Sequence, residues 1–266
     1  MITTIDLTND RKSNHELIKS AFLNSISPVF KLKLSKEFRE TTRSCIEKVK
    51  TFYKLYDISN NSKNDCVNKT RDENSVDSCI SCYLTTELEP CTSNIRNEFV
   101  NITKEILTIM FNNSEFNIEE YLKSENKKIN GNIIVRYYPK GGAGYLGSHI
   151  DGNFMTFLFS NGEGLEIPKE DLSIDPDDIK QFGIPSLTPT YISLSDSDWN
   201  TIQQDDTCLI VTVGNSFFQE KFVEKSSFSG VMCPTLHRVR RKANFDRFSI
   251  PFLFNFESIS GDDTKI

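Results

Sequence analysis

Gly147-Ser148-His149-Ile150-Asp151-Gly152 sets an imidazole and a carboxylate two residues apart, between glycines. Of the chain's three histidines, a second one matters here: His237 in Leu236-His237-Arg238-Val239. Ten residues further on, Arg247-Phe248-Ser249 opens a run that alternates like a strand. Two imidazoles and one carboxylate can occupy one face of a divalent metal and leave its other positions open, which suits non-haem Fe(II) and oxygen. His-x-Asp alone is a weak signal, since such triplets arise by chance as turns or surface pairs. The weight comes from the segments around it.

From Asn132 onward the apolar period shortens to two. A strand over 132–139 puts Ile134, Arg136 and Tyr138 on one face and Ile133, Val135 and Tyr137 on the other. Glycines at 141, 142 and 144 then release the chain into a loop that leads to His149. Phe154 to Phe159 reads as an apolar strand, Asn161-Gly162-Glu163-Gly164 as a turn, and Leu165-Glu166-Ile167 as extended chain again. Regular structure returns over 206–215. In 247–256 every even position is Phe or Ile, while Arg247 and Ser249 share the opposite face. A guanidinium on an inward face needs an anionic partner, because an unpaired buried charge is costly. An internal Asp or Glu is the bland partner; a dicarboxylate is the alternative, matched by the planar fork of arginine with a hydroxyl beside it.

Together these segments, over roughly residues 130–256, resemble the Fe(II)/2-oxoglutarate dioxygenase superfamily, in the branch of isopenicillin N synthase and the plant 2-oxoglutarate dioxygenases. Thr156-Phe157-Leu158 and Gly164-Leu165-Glu166-Ile167 stand where that family has a Leu-Thr-Leu-Leu-like strand and Gly-Leu-Gln-Val. The resemblance implies a mainly β fold with flanking helices around a double-stranded β-helix, or jelly-roll, core. It implies Fe(II) held by His149, Asp151 and His237. Arg247, Ser249 and Tyr138 would bind the distal carboxylate of 2-oxoglutarate, and O2 would be the oxidant. The implied reaction couples decarboxylation of 2-oxoglutarate to hydroxylation, or a related C–H oxidation, of a further substrate. A same-fold Fe(II) oxidase that does not use 2-oxoglutarate, and a catalytically silent binding protein, are the alternatives. The chain departs from the family at three places. Gly214-Asn215 replaces Gly-Asp, Arg136 stands where plant members commonly carry Asn near the metal, and the separation of the two histidines is longer. The extra length falls at 168–205, an acidic, proline-containing insertion read as a lid near the barrel mouth or a surface excursion.

The N-terminal region, 1–127, is expected to be helical. Leu17, Ile18, Ala21 and Phe22 recur at helical spacing within 14–23, with Ser13 as N-cap and His15 as a solvated side chain. A second helix is expected over 35–56, a third over 93–111 with Ser93 as cap, and a short one over 118–122. Near 57–92 the pattern dissolves into polar residues and reads as a mobile insert. Cys66, Cys79, Cys82 and Cys91 there offer only one close pair, so separate thiols are the default over zinc. The core is assigned to 128–256 and a tail to 257–266.

Composition narrows the class. The chain has 266 residues and a formal net charge of −6, which gives no basic footprint for nucleic acid. No apolar stretch is long enough to span a bilayer, the start lacks a signal-peptide pattern, and the seven cysteines are an odd number. A cytoplasmic protein acting on a small molecule is the expectation. The basic cluster Arg238, Arg240, Arg241 and Lys242 reads as a solvated turn, or less simply as a means of steering an anionic substrate. Substrate identity and oligomeric state are not legible.

Overall fold

The computed structural model describes residues 2–23, 25–55, 67–69, 80–83, 89–113, 116–138, 140, 146–182, 194–240 and 244–259. Their elements run β1 (Thr4–Ile5), α1 (Arg11–Phe22), β2 (Val29–Lys33), α2 (Lys36–Leu55), β3 (Val67–Lys69), β4 (Ile80–Tyr83), α3 (Glu89–Phe111), α4 (Ile118–Ser124) and β5 (Lys127–Tyr138). They continue with β6 (Leu146–His149), β7 (Met155–Ser160), β8 (Leu165–Pro168), α5 (Pro176–Phe182), β9 (Trp199–Thr201), β10 (Cys208–Val213), α6 (Lys221–Glu224), β11 (His237–Val239) and β12 (Arg247–Ser258). The architecture is mainly β with flanking helices. Eight strands form a large sheet in the order β1-β2-β10-β7-β12-β5-β4-β3, and four form a small sheet, β6-β11-β8-β9. Pairing is antiparallel except between β1 and β2.

The alternation along β12 decides which face meets the helices. Phe248, Ile250, Phe252 and Phe254 enter one core with Ile133 and Val135 of β5, Phe157 and Phe159 of β7, and Leu209 and Val211 of β10. Ile18 and Phe22 of α1, Phe38 and Val49 of α2, and Phe99 and Ile106 of α3 cover that face. Phe99 lies flat on Phe252, with ring centroids 5.0 Å apart and planes 9° from parallel. The opposite face of the large sheet meets the small sheet, where Tyr138, Leu158, Leu165, Ile167, Ile210 and Val239 form a second cluster. The result is helices, large sheet and small sheet in layers.

Several local expectations change. The cap of α1 is Asp10, whose carboxylate accepts from the Ser13 amide, because the helix starts at Arg11 and Ser13 is already inside its first turn. Ser93 likewise falls inside α3, which begins at Glu89. His15 is half-buried: its ring nitrogens lie 2.9 Å from the Ile109 carbonyl and 3.1 Å from the Ser227 hydroxyl, and its edge meets Phe228. It fastens α1 to α3 and to the segment after α6. β2, Val29-Phe30-Lys31-Leu32-Lys33, is short and is not assigned in the sequence analysis, although Ser27-Pro28 directly before it is a turn signal. Strands β3 and β4 lie within the stretch read as a patternless insert, and β4 extends the large sheet by pairing with β5. The rest of that stretch, with the Cys66, Cys79, Cys82 and Cys91 side chains, lies outside the described residues. Cys208 and Cys233 are free thiols. No helix among the described residues is long and apolar enough to cross a membrane.

The long segment between the histidines packs inward through Ile179 and Trp199, while most of its described residues are exposed or half-buried. Ile179 and Trp199 share a buried cluster with Ile150, between His149 and Asp151, and with Leu236, next to His237. Truncating Phe99 to alanine removes the flat contact with Phe252 in the middle of the helix–sheet layer. Phe99→Ala is expected to lower unfolding stability by about 3–5 kcal/mol in urea titration; a loss below about 1 kcal/mol would show that α3 does not carry this face.

Candidate metal centre

The register of β6 and β11 places His149 directly opposite His237, and the ring centroids are 4.2 Å apart. Each Nδ1 lies against the carbonyl two residues upstream, Gly147 at 2.7 Å for His149 and Thr235 at 3.0 Å for His237. A neutral imidazole bonded in this way carries its proton on Nδ1 and leaves the Nε2 lone pair available. Both Nε2 atoms face Asp151, at 3.8 Å from Oδ1 for His149 and 3.9 Å from Oδ2 for His237. One ligand atom from each residue lies within 4.8 Å of the others. This is a compact set of two nitrogens and one oxygen.

Asp151 is held on both sides of its peptide unit. Its Oδ2 accepts from the Thr156 hydroxyl at 2.5 Å, and its carbonyl accepts from the Asn215 amide at 2.8 Å. The second bond brings the chain after β10 against the β6–β7 loop so tightly that a Cβ on Gly214 would sit 2.0 Å from the Asn153 carbonyl oxygen. Glycine is required there by close approach. Asn215 therefore contributes through its backbone, whatever side chain the position carries.

Electrostatics favours the donor forms. Burial, the nearby His237 imidazole and the Arg136 guanidinium push His149 down to about 4, against the pull of Asp151, so His149 is neutral near pH 7. Burial alone would raise Asp151. The adjacent His237 and His149, the Thr156 hydroxyl and Arg136 outweigh it and hold the carboxyl below its ordinary range.

The cavity in front of Asp151 and His237 is lined by Arg136 and Tyr138 of β5, Thr156 and Leu158 of β7, Thr212 of β10, and Arg247, Ser249 and Leu253 of β12, among others. Tyr138 and Arg247 are each 1% exposed and Ser249 2%. The β5–β12 ladder sets Tyr138 opposite Arg247 and Arg136 opposite Ser249. The Arg247 guanidinium lies 5.0 Å from the Tyr138 ring centre, and its Nε donates to the Gly162 carbonyl at 3.4 Å. Gly164, at φ +142°, passes beneath it; a Cβ there would lie 2.9 Å from Arg247 Nε. Five of the six residues singled out in the sequence line one cavity, and the sixth, His149, adjoins Asp151 and His237 at its edge. Its free volume is about 30 Å³, room for water and too little for a dicarboxylate without side-chain movement.

The sequence reading missed Thr156 and Gly214 as site residues. Alternation in β7 was the available signal for Thr156, because it puts Thr156 and Leu158 on the inner face. The basic cluster is also different from expectation. Arg238 and Arg240 both bind the buried Glu166 carboxylate, at 2.8 and 2.9 Å, and Arg238 covers Trp199. Arg238 ties β11 to β8 and β9 and is largely buried, against the expectation of a solvated turn, while Arg240, directly after β11, is exposed although it pairs with Glu166; Arg241 and Lys242 lie outside the described residues.

Gly214→Ala is expected to displace the Asp151 loop and weaken Mn(II) binding at least about 10-fold in calorimetry, the scale on which losing support for a ligand acts. Unchanged affinity in a folded variant would show that the Gly214–Asn153 approach does not position Asp151.

No family model matches the chain, and no curated protein sequence matches it. Solved structures do. JOX2 in complex with 2OG, Fe and JA superposes with a TM-score of 0.62 at 17% identity, over 97% of this chain and 75% of that one. A full-length protein of Neurospora crassa in complex with α-KG gives 0.59 at 14% identity, over 98% and 88%. Dioxygenase for auxin oxidation 1 of Arabidopsis thaliana, as its 2-oxoglutarate complex, gives 0.52 at 16% identity, over 95% and 92%. At these identities the likeness concerns the fold, and the chain has the fold of Fe(II)/2-oxoglutarate oxygenases.

Proposed function

We propose that the protein is an Fe(II)- and 2-oxoglutarate-dependent oxygenase on a double-stranded β-helix core of the isopenicillin N synthase-like kind. His149, Asp151 and His237 would hold the metal, and Arg247, Ser249 and Tyr138 the distal carboxylate of 2-oxoglutarate. The observation that carries this reading is the cluster of three metal donors, two of which, Asp151 and His237, line a cavity that also holds a buried guanidinium. The donor set, two imidazoles and a carboxylate, suits Fe(II) with open positions. Iron bound there supplies the redox chemistry that turns 2-oxoglutarate and O2 into succinate and carbon dioxide while a substrate C–H bond is oxidised.

The protein residues do the rest by geometry. Arg247 offers a planar pair of donors to a carboxylate, and Ser249 adds a hydroxyl on the same strand face. Gly164 leaves space for the Arg247 stem, and the Tyr138 ring lies beside its guanidinium. Leu158, Leu165, Val239 and Leu253 give the same cavity an apolar wall that limits how much water it can hold. With only about 30 Å³ free, seating a dicarboxylate requires the long side chains of the lining, Arg247 and Leu253 among them, to shift. A small-molecule substrate is supported by the company of the fold: JOX2 is seen with JA, and the Neurospora crassa protein with 5-formyluracil. The segments 168–182 and 194–205 act, in this reading, as a support behind the ligands.

Protein reconstituted anaerobically with Fe(II) and given 2-oxoglutarate and oxygen is expected to form succinate, and Asp151→Ala to form none while remaining folded. Retained turnover in Asp151→Ala would remove that residue from the metal. Arg247→Gln loses a charge-assisted pair worth about 1.5–3 kcal/mol, so the 2-oxoglutarate Kd should rise roughly 10- to 100-fold. An unchanged Kd would refute the carboxylate assignment and leave an oxidase of the same fold.

A further inference from the structure

The Asp151 carboxylate stands almost symmetrically between the two imidazoles. His149 Nε2 lies 3.8 Å from Oδ1, and His237 Nε2 lies 3.9 Å from Oδ2. These distances favour neither oxygen as the metal donor, and a carboxylate placed in this way is able to chelate through both. The symmetry is broken from behind. The Thr156 hydroxyl donates to Oδ2 at 2.5 Å, a charge-assisted bond of the short, strong kind.

The Thr156 proton is aimed by a second side chain. A hydroxyl has a single proton to give. The buried Asn153 amide donates through Nδ2 to the Met155 carbonyl at 2.5 Å and to Thr156 Oγ1 at 3.1 Å. The Met155 carbonyl fixes the sense of that amide, because turning it over would set oxygen against oxygen. Thr156 Oγ1 therefore receives from Asn153 and spends its proton on Asp151; Asn153 Oδ1, at 3.3 Å, is the more distant acceptor. The strand ladders hold Thr156 in place, opposite Thr212 of β10 on one side and Leu253 of β12 on the other. Asn153 is held by its carbonyl, which accepts from the Ser216 amide at 3.2 Å.

We infer that Thr156, oriented by Asn153, is a positioning residue that reserves one oxygen of Asp151 for the protein and leaves the metal only the other, so that a coordination position stays open for O2. The inference rests on the oxygenase reading and adds to it what keeps room on the metal. A 2-oxo acid binds a metal as a chelate. Beside it, a facial set with one Asp151 oxygen leaves a position free, whereas an Asp151 that chelates through both oxygens closes it.

The test uses the full chain loaded with Mn(II), which binds without turnover, and follows the water left on the metal by water-proton relaxation. Wild type saturated with 2-oxoglutarate is expected to keep an exchangeable water at the open position. Thr156→Val removes the hydroxyl at similar shape. Its 2-oxoglutarate complex is expected to lose that water, and the KM for O2 of its Fe(II) form to rise at least about 10-fold, the scale on which groups behind a metal ligand act. Thr156→Ser, which keeps the hydroxyl, should regain both. A hydroxyl that served only packing would leave the water in place, so relaxation equal to wild type in folded Thr156→Val overturns the inference and leaves the oxygenase reading standing. A crystal structure of the wild-type complex with Mn(II) and 2-oxoglutarate decides without any variant. Asp151 bound through one oxygen, with the Thr156 hydroxyl on the other, supports the inference; Asp151 bound through both oxygens refutes it. A wild-type protein that binds no Mn(II) would overturn both readings.

Discussion

A shift of one residue in the pairing of β12 would exchange its phenylalanines with Arg247 and Ser249, and every side chain of the strand would face the wrong layer. The register is therefore fixed from two directions. Phe248, Ile250, Phe252 and Phe254 have no place except the helix-covered core, where Phe99 lies on Phe252. Gly131 admits the Phe252 ring so closely that a Cβ there would overlap it. With the aromatic face committed, the odd positions of β12 point between the sheets. Arg247 then arrives opposite Tyr138 as a consequence of hydrophobic packing on the other side of the sheet. The chemistry of the inner face is set by the physics of the outer one.

The metal donors depend on a different and more local constraint. β6 ends at His149, and the chain crosses from the small sheet to the large one before β7 begins at Met155. Asp151 sits in that crossing, where an irregular backbone would be free to move. It is pinned by the Thr156 hydroxyl, the Asn215 amide and the absence of a side chain at Gly214. Ile150 and Leu236, the neighbours of the ligands, are buried against Ile179 and Trp199 of the long inter-histidine segment. Rigid elements thus surround each donor, which is what a preorganised metal site requires.

The parts of this arrangement that were legible in the sequence are those written as period. Alternation over 132–139 and 247–256 assigned the faces of β5 and β12 correctly, and helical spacing found α1, α2, α3 and α4 to within a few residues. His149, Asp151 and His237 were picked out through spacing and resemblance; the β6–β11 register pairs the two histidines, and Asp151 joins them from the loop after β6. Contacts between distant segments leave no local trace, so Gly214 and the Glu166 bridge to Arg238 and Arg240 were not visible. His15 reads as a surface residue because a lone His in the first turn of a helix is usually solvated; its partners come from residues 109 and 227. Short strands such as β2 and β4 escape for the same reason, since their identity lies in pairing with β10 and β5.

The whole reading turns on one metal ion at one place. Crystals grown with Mn(II) and 2-oxoglutarate, measured at the manganese absorption edge, locate it by anomalous scattering. A single peak bounded by His149 Nε2, the Asp151 carboxylate and His237 Nε2 is the predicted result. A protein that crystallises with these side chains ordered and no peak among them, or with its only peak elsewhere, would contradict it.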